Sequence, residues 1–306
     1  MALDELKLAE DITVETDDVQ IILGEYMWDH TSFRIGGAAD VYVRPLSEEG
    51  LLVTLDNCRR QRVPYRIIGK GTNLLVSDRG IRGAVIDMTG LDGISSDGTR
   101  ITAGCGAALV SLANFAAERA LSGLEFAAGI PGSLGGGIFM NAGAYGGEMK
   151  DVVRSVRVLT PGMEIVDVPA EEAAFGYRDS RFKTSGEIIL GAELELVPGV
   201  REEIEARMKD YNARRREKQP LELPSAGSTF KRPEGNFAGK LIQDAGLAGY
   251  QVGQAQVSPK HCGFVVNLGG ASARDVYRLI RDVQAKVKES SGVELEPEVV
   301  MLGEFA

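Results

Sequence analysis

Three cysteines, two histidines and one tryptophan in 306 residues leave little material for several kinds of chemistry. Cys58, Cys105 and Cys262 are odd in number and lack C-x-x-C spacing. That disfavours a disulfide framework or a structural zinc site and reads as reduced thiols in a cytoplasmic protein. No His, Cys, Asp and Glu residues fall at ligand spacing, so no metal is expected. No apolar run approaches the ~20 residues of a membrane span, so membrane insertion is not expected. The opening stretch MALDELKLAEDITVETDD is acidic and lacks the apolar centre of a signal peptide. Positive charge is also in short supply: 34 Lys and Arg against 44 Asp and Glu give a net charge of −10. A general nucleic-acid binder needs a basic footprint, so none is expected, although a local basic pocket for a phosphorylated small molecule is compatible with the total. Low-complexity tracts and internal repeats are absent. What remains is an ordinary globular composition, 44% hydrophobic and 25% charged, long enough for two or three domains.

Glycine, by contrast, is concentrated. Gly129–Glu148 reads GIPGSLGGGIFMNAGAYGGE, with glycine at 129, 132, 135, 136, 137, 143, 146 and 147. Glycine costs backbone entropy, so such density calls for positive φ or for bare N–H groups close to something bulky. Successive N–H groups in such turns form anion-binding concavities, which makes the run a phosphate or dinucleotide loop. It is not a P-loop, since no Gly-Lys-Ser/Thr closes it, and no glycine triple sits directly between a strand and a helix as a Rossmann turn requires. A second glycine turn, GKGTNLLVSD at 69–78, follows a short strand at Tyr65–Ile68, with Thr72 and Asn73 able to donate side-chain hydrogen bonds. Together the two turns form opposite sides of one phosphate site.

Taken in order, residues 1–24 read as an acidic, partly helical and loosely attached lead-in. Ala39–Val43 alternates as a strand does, and Ser47 caps a helix running to about Gln61. Ala84–Met88 and Arg100–Ala103 are short strands, Leu109–Leu121 is helical by period, and Val152–Thr160 and Ile188–Val197 are strands. Between the last two lies the cation-rich segment FGYRDSRFK, 175–183. Pro198-Gly199 marks the clearest boundary. Beyond it come a charged helix at Arg201–Gln219, the loop LPSAGSTFKRP, a helix at Asn236–Asp244 and a strand at Gly263–Asn267. Ser272–Ser290 is the strongest helix, with Asp275 at the capping-box position. Val293–Leu302 closes the chain as a strand interrupted by Pro297. Strands, helices and glycine turns in this mixture give an α/β or α+β chain.

The carboxy-terminal third carries its own polar cluster: Ser228, Lys231, Arg232, His261 and Glu298. Spacing leaves open whether they converge. Each also has an ordinary reading, as a turn serine, a solvated basic pair, a half-buried ring or a strand-end carboxylate. A Ser-His-Asp hydrolase is disfavoured because AGSTF around Ser228 is no G-x-S-x-G elbow.

Six segments in fixed order then carry a resemblance. TSFRIGGAAD, GKGTNLLVSD, GIPGSLGGGIFMNAGAYGGE, YRDSRFK, SAGSTFK and LEPEV, spread from about Thr31 to Gly303, resemble the UDP-N-acetylenolpyruvoylglucosamine reductase (MurB) family. The resemblance implies an α+β fold: a two-lobed FAD-binding domain of the vanillyl-alcohol-oxidase (PCMH) type, then an α+β substrate-binding domain. The divisions it implies here are a lead-in at 1–33, the flavin domain at 34–200 with lobes at 34–90 and 91–200, and the substrate domain at 201–306. The direct passage LAGYQVGQAQVSPKHCGFVVN resembles the shorter type II members.

The implied activity is reduction of UDP-N-acetylglucosamine enolpyruvate to UDP-N-acetylmuramate in peptidoglycan precursor synthesis, with non-covalent FAD as cofactor and NADPH as co-substrate. By motif, Ser228 is the implied proton donor, with Arg178 and Glu298 flanking the enolpyruvyl group. The chemistry suits these residue types. Charge develops on the substrate carboxylate, which a guanidinium holds better than lysine does, and the adjacent carbon must then receive a proton. Gly69, Lys70, Gly71, Thr72, Asn73 and Leu74, with Gly129, Ile130, Pro131, Gly132, Ser133, Gly136 and Asn141, are the implied FAD contacts. Tyr177, Lys231, Arg232 and His261 are the implied substrate contacts.

The chain departs from the family in carrying Arg232 where Asn often follows FK, and Val300 where EVR often places a cation. The competing expectations are an FAD oxidase of the same flavin fold, whose relatives often tether flavin through His or Cys, and a catalytically silent nucleotide-binding regulator. Neither glycine loop contains His or Cys, which weighs against a tethered flavin, and the joint presence of Arg178, Ser228 and Glu298 weighs against the silent regulator.

Overall fold

The computed structural model describes residues 3–305, and its buried apolar side chains form four clusters. The first surrounds α1 (Leu3–Glu15). This helix is not the loosely attached lead-in that its charge suggests. Leu8 and Ile12 are fully buried against Val41, Val43, Cys58 and Ala84. Val19–Leu23 then pairs antiparallel with Ala39–Pro45 and forms the edge of a four-stranded sheet. Ile81–Asp87 and Tyr65–Ile68 complete that sheet in parallel. α2 (Glu48–Gln61) makes the crossover that parallel pairing demands. It begins where expected: the Ser47 hydroxyl accepts the Gly50 N–H at 3.1 Å, a cap worth about 1 kcal/mol. Leu51, Leu55 and Cys58 form its buried stripe.

A second sheet of five antiparallel strands lies beyond, in the order Ile165–Pro169, Val153–Leu159, Ile188–Glu195, Arg100–Gly104 and Ile94–Asp97. α3 (Leu109–Glu118) and the short α4 (Leu134–Phe139) cover it. Their Leu109, Leu112, Leu134 and Ile138 are buried in one core with Ile101, Val156 and Leu194. α3 stops earlier than its apolar period suggests, because Leu121–Ser122 pairs instead with Val197–Pro198.

α5 (Arg201–Lys218) is charged on most of its surface, yet Ile204 and Met208 are buried in this second core. The helix therefore packs with the lobes before it. The helix ends at Lys218, just before Pro220.

The remaining chain folds round a four-stranded antiparallel sheet of Ser225–Ser228, Phe264–Asn267, Ala255–Val257 and Gln251–Val252. α6 (Ala238–Asp244) and α7 (Ala273–Ser291) pack on it. α7 has its capping box, with Ser272 accepting from the Asp275 N–H, and stops at Gly292 in the left-handed region. Val276, Leu279, Ile280, Val283 and Val287 are all buried. Phe33, Ile35 and Leu75 from the first lobe share this core, so the two ends of the chain are packed into each other. The closing strand is shorter than expected. Only Val300–Leu302 is extended and paired, parallel to Leu74–Val76, while Pro297 makes a single bridge to Phe230. That last pairing brings residue 298 beside the loop at 69–74.

Candidate active site

Two glycine loops meet across a cleft of about 930 Å³. Loop 69–74 leaves the strand Tyr65–Ile68 and turns at Gly71, whose φ is +61°; a Cβ there would lie 1.9 Å from the His30 carbonyl oxygen. Only glycine satisfies both demands. A Cβ on Gly69 would lie 2.3 Å from Ser133 Oγ, so the loops touch. The backbone N–H groups of Gly69, Lys70, Gly71, Thr72 and Asn73, and of Gly132 and Ser133, donate to no acceptor among the described residues. A run of such donors along one cleft matches the acceptor-only surface of a diphosphate. Ser133 stands at the N-cap of α4 without a side-chain cap bond, leaving its hydroxyl for the cleft. At Gly132 an added Cβ would meet only Leu109 at 3.6 Å and Thr72 Oγ1 at 3.7 Å. A larger side chain there occupies the cleft without disturbing the backbone. Tested against these features, the residues fit a dinucleotide.

Gly69 to Leu74, Ile130, Pro131, Gly132, Ser133 and Gly136 all line the cleft. Two other expected contacts do not. Gly129 faces α5, where its Cβ would lie 2.6 Å from Asn212 Oδ1. Asn141 is fully buried with φ at +40°, and its side chain is spent on the protein. Its Nδ2 donates to Glu148 Oε2 at 2.7 Å and to the Gly176 carbonyl at 2.9 Å, while Oδ1 accepts the Lys150 N–H at 3.0 Å. Asn141 braces the turn that carries Arg178.

In that turn, Gly176 and Asp179 exchange backbone hydrogen bonds of 2.9 and 3.3 Å around Tyr177 and Arg178. Arg178 is held at φ +52°, which costs a non-glycine residue about 1–2 kcal/mol. Such strain persists where surrounding contacts over-determine it. Here the Arg178 carbonyl accepts from Lys183 Nζ at 2.5 Å, and its guanidinium donates through Nε to Glu298 Oε1 at 2.8 Å and through Nη2 to the Gly143 carbonyl at 3.3 Å.

Glu298 is half-hidden behind this pair. Burial pushes its pKa up, and the charge of Arg178 pulls it partly back. Its backbone is fixed from two sides: its N–H donates to the Thr229 carbonyl at 2.8 Å, and its carbonyl accepts Asn73 Nδ2 at 3.0 Å. One Asn73 amide hydrogen is thus used within the protein, while the residue still lines the cleft. Ser228 ends its strand after Gly227, at φ +74°, and its exposed hydroxyl has no partner among the described residues.

A second cavity of about 390 Å³ opens on the far side. Tyr177, Arg232 and His261 line it. The Tyr177 hydroxyl accepts the Arg232 N–H at 3.2 Å, and the Arg232 guanidinium lies 3.9 Å from the centre of the Phe237 ring. His261 accepts the Gly263 N–H on Nδ1 at 3.2 Å, and burial pushes its pKa down. Lys231 lines neither cavity and pairs with Glu296 at 2.5 Å instead. The outer cavity also gathers Lys240, Gln243 and Lys260, and the cleft gathers Arg34, Arg215 and Gln219. None of these was singled out from the sequence: Arg34 and Lys260 sit inside quoted segments without a role of their own, and the others lie in helices without a motif or at their ends. Among the described residues, Arg178, Ser228 and Glu298 are the ones that line both cavities. No group of three or more His, Cys, Asp and Glu among the described residues is placed to hold a metal.

Comparison with known proteins bears on both halves. Residues 39–169 match the family model of an FAD binding domain, and residues 219–302 that of the UDP-N-acetylenolpyruvoylglucosamine reductase C-terminal domain. The chain is 50% identical over 285 residues to the UDP-N-acetylenolpyruvoylglucosamine reductase of Caldanaerobacter subterraneus subsp. tengcongensis, covering 93% of this chain and 94% of the relative. It is 51% identical over 308 residues to that of Agathobacter rectalis, covering 96% and 98%. Among solved structures, that of UDP-N-acetylenolpyruvylglucosamine reductase (MurB) from Thermus caldophilus superposes with a TM-score of 0.79 at 36% identity, covering 93% of this chain and 99% of that one.

Proposed function

This chain belongs to the UDP-N-acetylenolpyruvoylglucosamine reductase family, and from that premise we propose that Arg178, Ser228 and Glu298 form the reacting centre where its two cavities meet. The protein is an FAD-containing, NADPH-dependent reductase that converts UDP-N-acetylglucosamine enolpyruvate to UDP-N-acetylmuramate for the peptidoglycan precursor. It has the fold of an FAD-binding domain followed by the family's C-terminal domain. Flavin belongs in the larger cleft with its diphosphate on loops 69–74 and 130–136, and the UDP-sugar belongs in the outer cavity. The observation that carries this reading is the sharing of those three side chains by both spaces. Arg232, Tyr177 and His261 are the substrate-binding residues in this reading, and Lys231 is a rim cation neutralised by Glu296. The division between flavin-binding and substrate-binding parts falls near Gln219, where α5 ends.

Bound FAD supplies the hydride, which it receives from NADPH. The protein's residues do the rest. Arg178 keeps Nε on Glu298 and Nη2 on the Gly143 carbonyl, which leaves Nη1 to donate to a carboxylate. It takes the enolpyruvyl carboxylate there and offsets the charge that builds on it. Ser228, free of other partners, gives the proton to the adjacent carbon. Glu298, whose pKa burial pushes up against the opposing charge of Arg178, orients or shares a proton with the enolic acid. The outer cavity's cations hold the diphosphate of the substrate in a protein of net charge −10.

FAD is held without a covalent link. Neither loop carries His or Cys. Cys105 reaches the cleft wall, but burial pushes its thiol up to about 12, so no thiolate is offered. The protein works in the cytoplasm, in keeping with three free, buried thiols. No helix among the described residues is long and apolar enough to cross a membrane.

Stopped-flow absorbance separates the two half-reactions and tests the assignment. Variants at Ser228, Arg178 or Glu298 are expected to be reduced by NADPH normally and reoxidised slowly by substrate. Loss of NADPH-driven reduction in all three would move these residues to the dinucleotide site instead.

A further inference from the structure

Lys183 is a largely buried cation that lines neither cavity. It closes the short 3-10 turn Arg181–Lys183, which is pinned twice. Phe182 is buried in the second core, and Arg181 grips Glu187 with two bonds of 2.7 and 3.1 Å. The pinned turn sends the Lys183 side chain back to residue 178. Its Nζ lies 2.5 Å from the Arg178 carbonyl oxygen, 3.8 Å from Asp179 Oδ1 and 5.9 Å from the centre of the Phe139 ring. Burial pushes its pKa down, and the charge of Asp179 acts against that shift. An ammonium placed at such a cost needs a compensating partner. Asp179 is a weak one, because an exposed carboxylate at that distance is screened by water.

The Arg178 carbonyl is the stronger partner. Arg178 is left-handed, at φ +52°, a conformation that glycine alone adopts freely. No backbone N–H among the described residues reaches its carbonyl, so the Lys183 ammonium is the donor that satisfies it. A charge-assisted bond of this kind is stronger than a neutral one and opposes relaxation of the residue. Relaxation would carry the side chain with it, because a change in φ swings Cβ and draws the guanidinium off Glu298. The other holds on this segment act on its flanks. Asn141 Nδ2 donates to the Gly176 carbonyl at 2.9 Å, and Ser180 Oγ donates to the Phe139 carbonyl at 2.8 Å. Among the described residues, Lys183 is the one that bonds the backbone of residue 178 itself. Resting on the reading that Arg178 takes the substrate carboxylate, we propose that Lys183 is a positioning residue for this reaction. It holds the Arg178 backbone left-handed and so keeps the guanidinium where the two cavities meet, without touching cofactor or substrate. Its packing on Phe139, a cleft-lining residue at the end of α4, ties that hold to the flavin side of the junction.

The test uses the FAD-loaded protein and stopped-flow absorbance. Lys183→Met, which removes the donor, is expected to keep its flavin and to be reduced by NADPH within about twofold of the parent rate, while substrate reoxidises it roughly tenfold more slowly. Lys183→Gln offers a neutral amide donor and is expected to recover most of that loss. The decisive comparison is a double-mutant cycle. Once Arg178→Ala has removed the guanidinium, Lys183→Met has nothing left to misplace and should slow reoxidation no further. A lysine that merely supported the fold would exert its full effect in that background too. Additive effects therefore overturn the proposal, as does parent-like reoxidation of Lys183→Met, or a glutamine variant no faster than the methionine one. Parent-like reoxidation of Arg178→Ala itself would instead overturn the reading of the reacting centre on which the role of Lys183 rests.

Discussion

Asn73 and Glu298, 225 residues apart, are joined by a 3.0 Å hydrogen bond from the Asn73 side-chain amide to the Glu298 backbone carbonyl. The Val300 N–H returns to the Asn73 carbonyl at 2.9 Å. The loop 69–74 and the Glu298 backbone are thereby fixed to each other by one clamp. Asn73→Ala should remove about 1 kcal/mol and lower Tm by about 2–4 °C. It should also slow reoxidation by substrate more than reduction by NADPH, since it loosens Glu298. Calorimetry and stopped-flow absorbance measure the two effects, and equal slowing of both half-reactions would count against a clamp specific to Glu298.

Gly132→Val should strip flavin and leave a folded protein. The added side chain meets ordinary contacts at 3.6 Å and beyond and occupies the cleft. Circular dichroism should match the parent while the visible flavin spectrum is lost. Full flavin occupancy would argue against placing the diphosphate between the two loops.

Ser228→Ala should be reduced by NADPH at a near-normal rate, and its reoxidation by the enolpyruvyl substrate should fall at least ~100-fold. The hydroxyl has no structural partner, so stability should stay within about 0.5 kcal/mol. Rapid reoxidation of this variant would remove serine from the role of proton donor.

Arg232→Ala should raise the substrate KM by roughly tenfold and leave flavin reduction unchanged, whereas Lys231→Ala should change either value little. The difference follows from placement, since Arg232 lines the outer cavity and Lys231 is turned to Glu296. Steady-state kinetics decides, and equal effects of the two variants would contradict the separation.

Burial raises the Glu298 pKa above its ordinary 4.5, with the Arg178 charge acting the other way. A carboxyl raised on folding supports the fold while protonated. Its contribution is full below that ordinary value and is lost as pH rises through the raised one. Glu298→Gln is neutral at every pH. The Tm of the variant relative to the parent should therefore climb as pH rises above that ordinary 4.5 and through the raised value. A difference that stays flat would show Glu298 to titrate as an exposed carboxylate does.

Local order determined much of this protein before any packing was considered. Ser47 and Ser272 start helices because a side-chain oxygen one step before an apolar period satisfies a free N–H. The two glycine loops declared themselves because only glycine tolerates backbone at such close range, as at Gly71 beside His30. The motifs around Arg178, Ser228 and Glu298 singled out three side chains that the fold brings to both cavities. Tertiary structure decided what distance along the chain conceals. Leu8 and Ile12 look like scattered apolar residues in an acidic helix until the sheet beneath them is present. Asn141 sits inside a ligand-like motif, yet its amide is consumed by Glu148, Gly176 and Lys150. Lys231 and Arg232 are neighbours in sequence and serve different partners, because alternate residues along extended backbone face opposite ways. Arg215 and Gln219 carry no motif at all. They reach the cleft because two small apolar anchors, Ile204 and Met208, seat a charged helix on the flavin lobes and aim its last turn inward.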